Sequence, residues 1–323
     1  MPSRRLVDGS IMAQRPKRTN AIRRLGWSML RIVVLLIAIA VVLRLGGCME
    51  RLFYQPMRAS TPLPPEMPGA ESVDFASADG TKLHGWFIPA RNRAPDAGPA
   101  PTIIHVHGNA GNIEHHLYFS EFLPGSGFNL FIFDYRGYGQ SEGRPRRREQ
   151  LIADTHAALD AVLARDDVDP GRIGVFGHSL GGGIALHVMA ERDEIRAAVI
   201  MSSFASFRDI AANVVGGREP GAIARALAAL LIDDRLRPLD AIARIERPIL
   251  VIHGEADRTI PVSHGRRLAD AAPDAELLLL AGGDHNDLRS THPEADRAMI
   301  AFYRTHLEQP NAVEEPMEEE SRP

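Results

Sequence analysis

Ser179 stands in "GHSLG", with Gly177 two residues before it and Gly181 two after. A serine hydroxyl at neutral pH is a weak nucleophile. It becomes a useful one when a histidine takes its proton and an acid holds that histidine in place. The sequence has 13 histidines, so the presence of one proves nothing and position must decide. His285, in "AGGDHND", follows an apolar run, and Asp257, in "HGEADRTIP", follows another. Asp284 and Asp287 lie too close to His285 in sequence to orient it easily across a pocket. His107 and His253 also follow apolar runs, but each precedes a glycine and is expected to shape a turn. A tetrahedral intermediate would need two N–H donors for its oxyanion. Leu180, directly after the serine, supplies one, and Asn109 in "HGNAGN" is the candidate for the other.

These residues work together only if the fold brings them to one edge. The apolar runs "PTIIHVHG", "FNLFIFDY", "RIGVFGHS", "RAAVIMSS", "RPILVIHG" and "AELLLLAG" read as buried strands. Helical patterns lie between them, near Ile113 to Leu123, Glu149 to Arg165, Leu180 to Glu191, Pro261 to Ala272 and His292 to His306. Ser72–Ala76 and Lys82–Ile88 read as a hairpin with "ADG" at its turn. Strands alternating with helices predict an α/β fold: a mainly parallel sheet with helices on both faces. Ligands in such sheets sit outside the carboxyl ends of the strands. Ser179, Asp257, His285 and Asn109 all fall there. A G-x-S-x-G between a buried strand and a helix places the serine on a strained turn, where small flanking residues let strand and helix approach.

The motifs "HVHGNAGN", "FDYRGYGQSEG", "FGHSLGG", "HGEADRTIP" and "GGDHND", in this order, resemble the α/β-hydrolase superfamily. Within it they are similar to the membrane-anchored serine hydrolases that include protein depalmitoylases and bacterial serine-aminopeptidase-like relatives. The resemblance covers roughly Phe53 to Leu307. It implies a nucleophile at Ser179, an acid at Asp257 and a base at His285, in the chain order of that fold. It implies no metal and no cofactor. It also implies ester, thioester or peptide substrates, with esters and thioesters favoured. A catalytically idle binding protein on the same fold is the reading from another class. In "DYRGYGQSEG" a structural role is expected, with Asp134 bonding turn backbone. Residues 204–238 sit where such enzymes carry a short cap. Ile223, Leu227, Leu230 and Leu231 share a helical face expected to pack on the body, a lid over an acyl pocket being the sharper alternative.

Outside the body, 71–307, the chain changes character. Residues 1–26 are basic, and the eight Lys/Arg of residues 1–31 face one acid, Asp8. Ile32 to Leu43 is unbroken apolar sequence, and 27–47 approaches the ~20 residues a span needs if Arg31 and Arg44 snorkel. The basic excess before it predicts a cytoplasmic N-terminus and a body on the outer side. "LGGC", ending at Cys48, offers a second reading, a lipoprotein signal with a lipid-modified cysteine; a core helix is a third. The Pro-rich stretch in 48–70 reads as an extended stalk, and 308–323 as an acidic disordered tail. "GRPRRRE", Gly143 to Glu149, is expected to be a solvated basic surface. The expected partners are an acyl substrate, free or lipid-linked, and membrane lipid through the N-terminal segment. A net charge of −4 gives no case for nucleic acid.

Overall fold

The computed structural model describes residues 54–308, apart from 61 and 95–97, together with helical residues between 26 and 42. The basic segment 1–25, most of the expected anchor 27–47 and the tail 309–323 lie outside the described residues. Among the described residues no helix is long and apolar enough to cross a membrane.

The elements alternate as the apolar pattern predicts. In chain order they are β1 Glu71–Ala76, β2 Lys82–Ile88, β3 Thr102–Val106, α1 Ile113–Leu117, β4 Asn129–Asp134, α2 Arg148–Leu163, β5 Ile173–His178, α3 Leu180–Glu191 and β6 Ile195–Met201. Then follow α4 Phe207–Gly216, α5 Ala222–Leu231, α6 Pro238–Ile242, β7 Ile249–Gly254, α7 Ser263–Ala271, β8 Ala275–Leu280, α8 Leu288–Thr291 and α9 Glu294–Leu307. The eight strands form one sheet in the order β1-β2-β4-β3-β5-β6-β7-β8. Only β2 runs against its neighbours; every pair from β4 to β8 is parallel.

Both faces of the sheet are covered, which is why the central strands are apolar at consecutive positions. Ile104, Phe131, Val175 and Ala198 pack on one side, with Leu159, Ile184, Leu186 and Ile242 of the helices. Their neighbours Ile103, Ile132, Phe176 and Val199 pack on the other, with Leu117, Met299 and Tyr303. The period-two alternation of a strand thus feeds two cores.

The helical run expected over Ile113 to Leu123 is true helix only to Leu117. Beyond it the chain continues in tight turns: Ser120 N–H donates to Leu117 O, and Leu123 N–H to Ser120 O. The run expected from His292 to His306 is α9, Glu294–Leu307, and the short α8, Leu288–Thr291, precedes it with Pro293 between the two helices.

The described part of the expected stalk is extended but not free. Tyr54 and Met67 are buried. Gln55 N–H donates to Asn109 Oδ1, and Met57 N–H to Gly111 O. An extended proline-rich chain still carries backbone donors, and these find acceptors on the body.

The basic cluster "GRPRRRE" is only partly solvated. Arg148 is buried; its guanidinium donates to Asp233 O and lies 4.1 Å over the Phe207 ring. It fastens α2 to the segment 204–238, and so acts in packing rather than as free surface charge.

Candidate active site

Ser179 sits between the end of β5 and the start of α3 with φ 54° and ψ −118°. A residue with a side chain strongly resists that backbone, and here the surroundings hold it. Ser179 N–H donates to Met201 O at 2.9 Å, and Ser203 Oγ–H donates to Ser179 O at 2.8 Å. The flanking glycines are needed for clearance. A Cβ on Gly177 would come within 2.6 Å of Gly182 Cα, and one on Gly181 would overlap the Val106 carbonyl oxygen. Strand β3, helix α3 and the turn could not otherwise lie this close.

His285 follows β8 and Asp257 follows β7, so three separate loops converge. Ser179 Oγ–H donates to His285 Nε2 at 3.1 Å. His285 Nδ1–H donates to Asp257 Oδ2 at 2.8 Å. This assigns the proton to Nδ1 and leaves Nε2 free to accept. Asp257 is fully buried, and burial alone would raise its pKa. Hydrogen bonds from the side chains of His253 and His285 and from the Ile260 N–H more than offset that, and hold it well below the usual carboxylate range. Its second oxygen, Oδ1, accepts from Thr259 N–H at 2.8 Å and Ile260 N–H at 2.7 Å.

Asp284 does not reach the imidazole. It accepts from His285 N–H and from Arg258, and so joins the loop of His285 to the loop of Asp257. Asp287 Oδ1 accepts from Asp284 N–H and closes the same turn. His253 Nε2–H donates to Ile260 O, which makes it a loop brace, and His107 bonds its neighbour Gly108 O.

Leu180 opens α3, where the first N–H groups have no partner within the helix. Asn109 lies on the loop after β3, and a Cβ on its neighbour Gly108 would be 3.4 Å from Ser179 Cβ. The two expected donors therefore lie on segments that border the serine.

The "DYRGYG" loop braces this second segment. Tyr138 Oη–H donates to Asn109 Oδ1, Tyr135 Oη–H to His107 O, and Asp134 Oδ1 accepts from Ile113 N–H. The expected bond from Asp134 to turn backbone is present at Ile113 N–H, but sequence reading missed the two tyrosine bonds, whose partners lie 28 and 29 residues apart. It also missed His178, which is buried, stacks on Phe119 at 4.1 Å between ring centroids and lies 3.4 Å from His285 O through Nε2.

Burial raises the Asp134 pKa to about 7, although the Ile113 N–H acts against it. The folded protein therefore holds this proton more tightly than the unfolded chain does. The stability it contributes is complete below the unfolded value of about 3.9 and is lost as pH rises through about 7. Melting temperature measured across that window is expected to fall as pH rises, and Asp134→Asn is expected to flatten the slope. An unchanged slope in the variant would assign the titration to another group.

In residues 204–238, α4 and α5 form a helical hairpin at the carboxyl edge of the sheet. The expected apolar face does not pack on the body as a whole. Ala224 and Ala228 are buried, Leu230 and Leu231 are half-buried, and Ile223 and Leu227 are 79% and 43% exposed. Helix α5 packs through Ala224 and Ala228, and Leu231 lies against the core, which leaves Ile223 and Leu227 turned outward.

The arrangement can pass a proton from a hydroxyl to an imidazole held by a carboxylate, next to backbone donors. Residues 101–220 match the family described as alpha/beta hydrolase fold. The chain is 40% identical over 227 residues to YfhR of Escherichia coli strain K12, which covers 69% of this chain and 76% of that protein. It is 33% identical over 270 residues to the alpha/beta hydrolase domain-containing protein WAV2 of Arabidopsis thaliana, covering 78% and 85% of the two chains. Its fold is similar to an esterase of Pyrococcus furiosus, with a TM-score of 0.63 and 23% identity over 79% of this chain and 98% of that one. An acetyl xylan esterase from Paenibacillus sp. R4 gives a TM-score of 0.60 at 22% identity, over 76% and 87%. The structural likenesses bear on the fold alone, whereas the sequence relatives extend over most of both chains. The chain belongs to the α/β-hydrolase family.

Proposed function

We propose that this protein is a membrane-tethered serine hydrolase of carboxylic esters or thioesters. The observation that carries the reading is the hydrogen-bonded series Ser179–His285–Asp257, with one member from each of three strand ends. Ser179 Oγ attacks the acyl carbonyl while His285 Nε2 takes its proton. Asp257 fixes the imidazole and stabilises its positive charge. The N–H groups of Leu180 and Asn109 receive the developing oxyanion. Collapse expels the alcohol or thiol, which takes the proton back from His285. Water then attacks the acyl-enzyme by the same route in reverse.

The two structural neighbours are an esterase and an acetyl xylan esterase, which agrees with ester chemistry. The apolar segment 27–47 supports a tether, with the body on the outer side of the membrane and lipid-linked acyl groups within reach. The test is a chain-length series of p-nitrophenyl esters beside aminoacyl-arylamides, together with fluorophosphonate labelling. Ester turnover and labelling of the wild type are expected. Preference for arylamides would turn the reading to a peptidase, and absence of labelling would remove the nucleophile. Flotation of the full chain with vesicles tests the tether separately.

A further inference from the structure

The tip of the α4–α5 hairpin combines exposed apolar side chains with arginines. Val214, Val215 and Ile223 are 75%, 66% and 79% exposed. Between and beside them lie Arg218 and Arg225, with Glu219 as the one acid of the turn. A cleft of about 280 Å³ runs from this hairpin to the start of α7. Arg218, Arg225 and Arg267 line it, against the single carboxylate of Asp209, which Arg267 already pairs at 2.7 Å. Arg218 also donates to Asp257 O at 2.7 Å, so the tip is fastened to the loop that carries the acid.

The chain's own connectivity indicates what this tip meets. Gln55 and Met57 are clipped to the loop of Asn109 and Gly111. Only residues 48–54 lie between the apolar segment ending at 47 and that clip. Seven residues fully extended reach at most about 25 Å. The Asn109 loop follows β3 and the hairpin follows β6, both at the carboxyl edge of the sheet. A tether that short holds this edge, rather than the opposite one, toward the bilayer.

We propose that the hairpin tip docks on an anionic phospholipid surface: Val214, Val215 and Ile223 enter the interface, and Arg218 and Arg225 take lipid phosphates. The inference rests on the proposed tether but not on the hydrolytic reading. A dissolved phosphate would account for the arginines and leave the apolar tip unexplained. An apolar protein partner would account for the tip and leave the cationic cleft unexplained. A leaflet rich in anionic headgroups offers both chemistries at the right depth.

The experiment uses the full chain with Cys48→Ser and one new cysteine carrying an environment-sensitive fluorophore, at Ile223→Cys or, as control, at Thr305→Cys. Thr305 is exposed near the end of α9, at the amino edge of the sheet, where Arg172 binds Leu307 O. Protein is reconstituted in phosphatidylcholine vesicles with or without one third phosphatidylglycerol, both containing brominated lipid. A blue shift with quenching is expected at 223 in the anionic vesicles, and none at 305. Arg218→Gln with Arg225→Gln should return the signal at 223 to its level in neutral vesicles. No shift at 223 on a chain that floats with vesicles overturns the docking and leaves the tether standing. Equal signals at 223 and 305 overturn it as well. Loss of the signal to millimolar inorganic phosphate at constant ionic strength would assign the cleft to a free anion and overturn the lipid assignment. A chain that does not float removes the tether, and the docking with it. Ser179→Ala should dock unchanged, which separates this result from failure of the catalytic reading.

Discussion

Ser179→Ala is expected to lower ester turnover by about 10⁴-fold or more and to abolish fluorophosphonate labelling, with the fold intact. The nucleophile is lost, while the Leu180 and Asn109 donors and the binding surface remain. A residual rate above that of water is therefore expected. Turnover within tenfold of wild type would move the chemistry off this serine. The same position makes a stability prediction. At φ 54° and ψ −118° a Cβ costs on the order of 1–3 kcal/mol. Alanine and glycine variants lose the same hydroxyl and the same bond to His285. Only glycine also removes the Cβ, at a cost of about 0.4–1 kcal/mol in unfolded-chain entropy. The strain exceeds that cost, so Ser179→Gly should melt above Ser179→Ala, by about 2–4 °C for a domain of this size. The reverse order would mean that the strain is carried elsewhere in the turn.

The strand–helix alternation was legible because each signal is local. A parallel strand covered on both faces must be largely apolar, as Ile249–Gly254 and Asn129–Asp134 are, and five of the six apolar runs are such strands; the sixth, Ala275–Leu280, was expected to be buried but lies at the sheet edge with most of its residues exposed or half-buried. The serine turn was legible for a related reason, since the contacts that demand Gly177 and Gly181 recur wherever a strand meets a helix so closely. What could not be read depends on pairs distant in sequence. The clip of Gln55 to Asn109 joins positions 54 residues apart, and the bond from Arg148 to Asp233 spans 85. A proline-rich stretch has the same composition whether it hangs free or lies against the body. A basic cluster likewise does not reveal which of its arginines will find an aromatic ring. Periodicity marked the apolar face of α5 correctly as apolar and wrongly as buried, because it cannot tell whether the body reaches the face. Helix α5 is buried through Ala224 and Ala228, Leu231 reaches the core, and Ile223 and Leu227 remain outside.

Asp257→Asn should lower kcat by about 10⁴-fold with little change in KM. The loop determines which way the amide must face. Thr259 and Ile260 both donate to Oδ1, at 2.8 and 2.7 Å. Two backbone donors hold an acceptor at that position, so the carbonyl oxygen of asparagine takes it. The NH2 group then falls at the Oδ2 position, 2.8 Å from His285 Nδ1. A donor facing Nδ1 requires a lone pair there, which moves the imidazole proton to Nε2. Nε2 is the atom 3.1 Å from Ser179 Oγ, and once protonated it cannot accept the hydroxyl proton. The base is lost while every atom of the loop keeps its place. Asp257→Ala differs in kind. It leaves the Thr259 and Ile260 N–H groups without their acceptor, and a buried donor left unmet costs about 1–3 kcal/mol. Both variants lose the carboxylate, but the alanine variant should lose more stability than the asparagine variant, which keeps the acceptor for Thr259 and Ile260. Steady-state kinetics and thermal melts on the two variants separate these effects. An asparagine variant within tenfold of wild type would mean that His285 does not depend on Asp257 for its tautomer, and the assignment of the acid would fail with it.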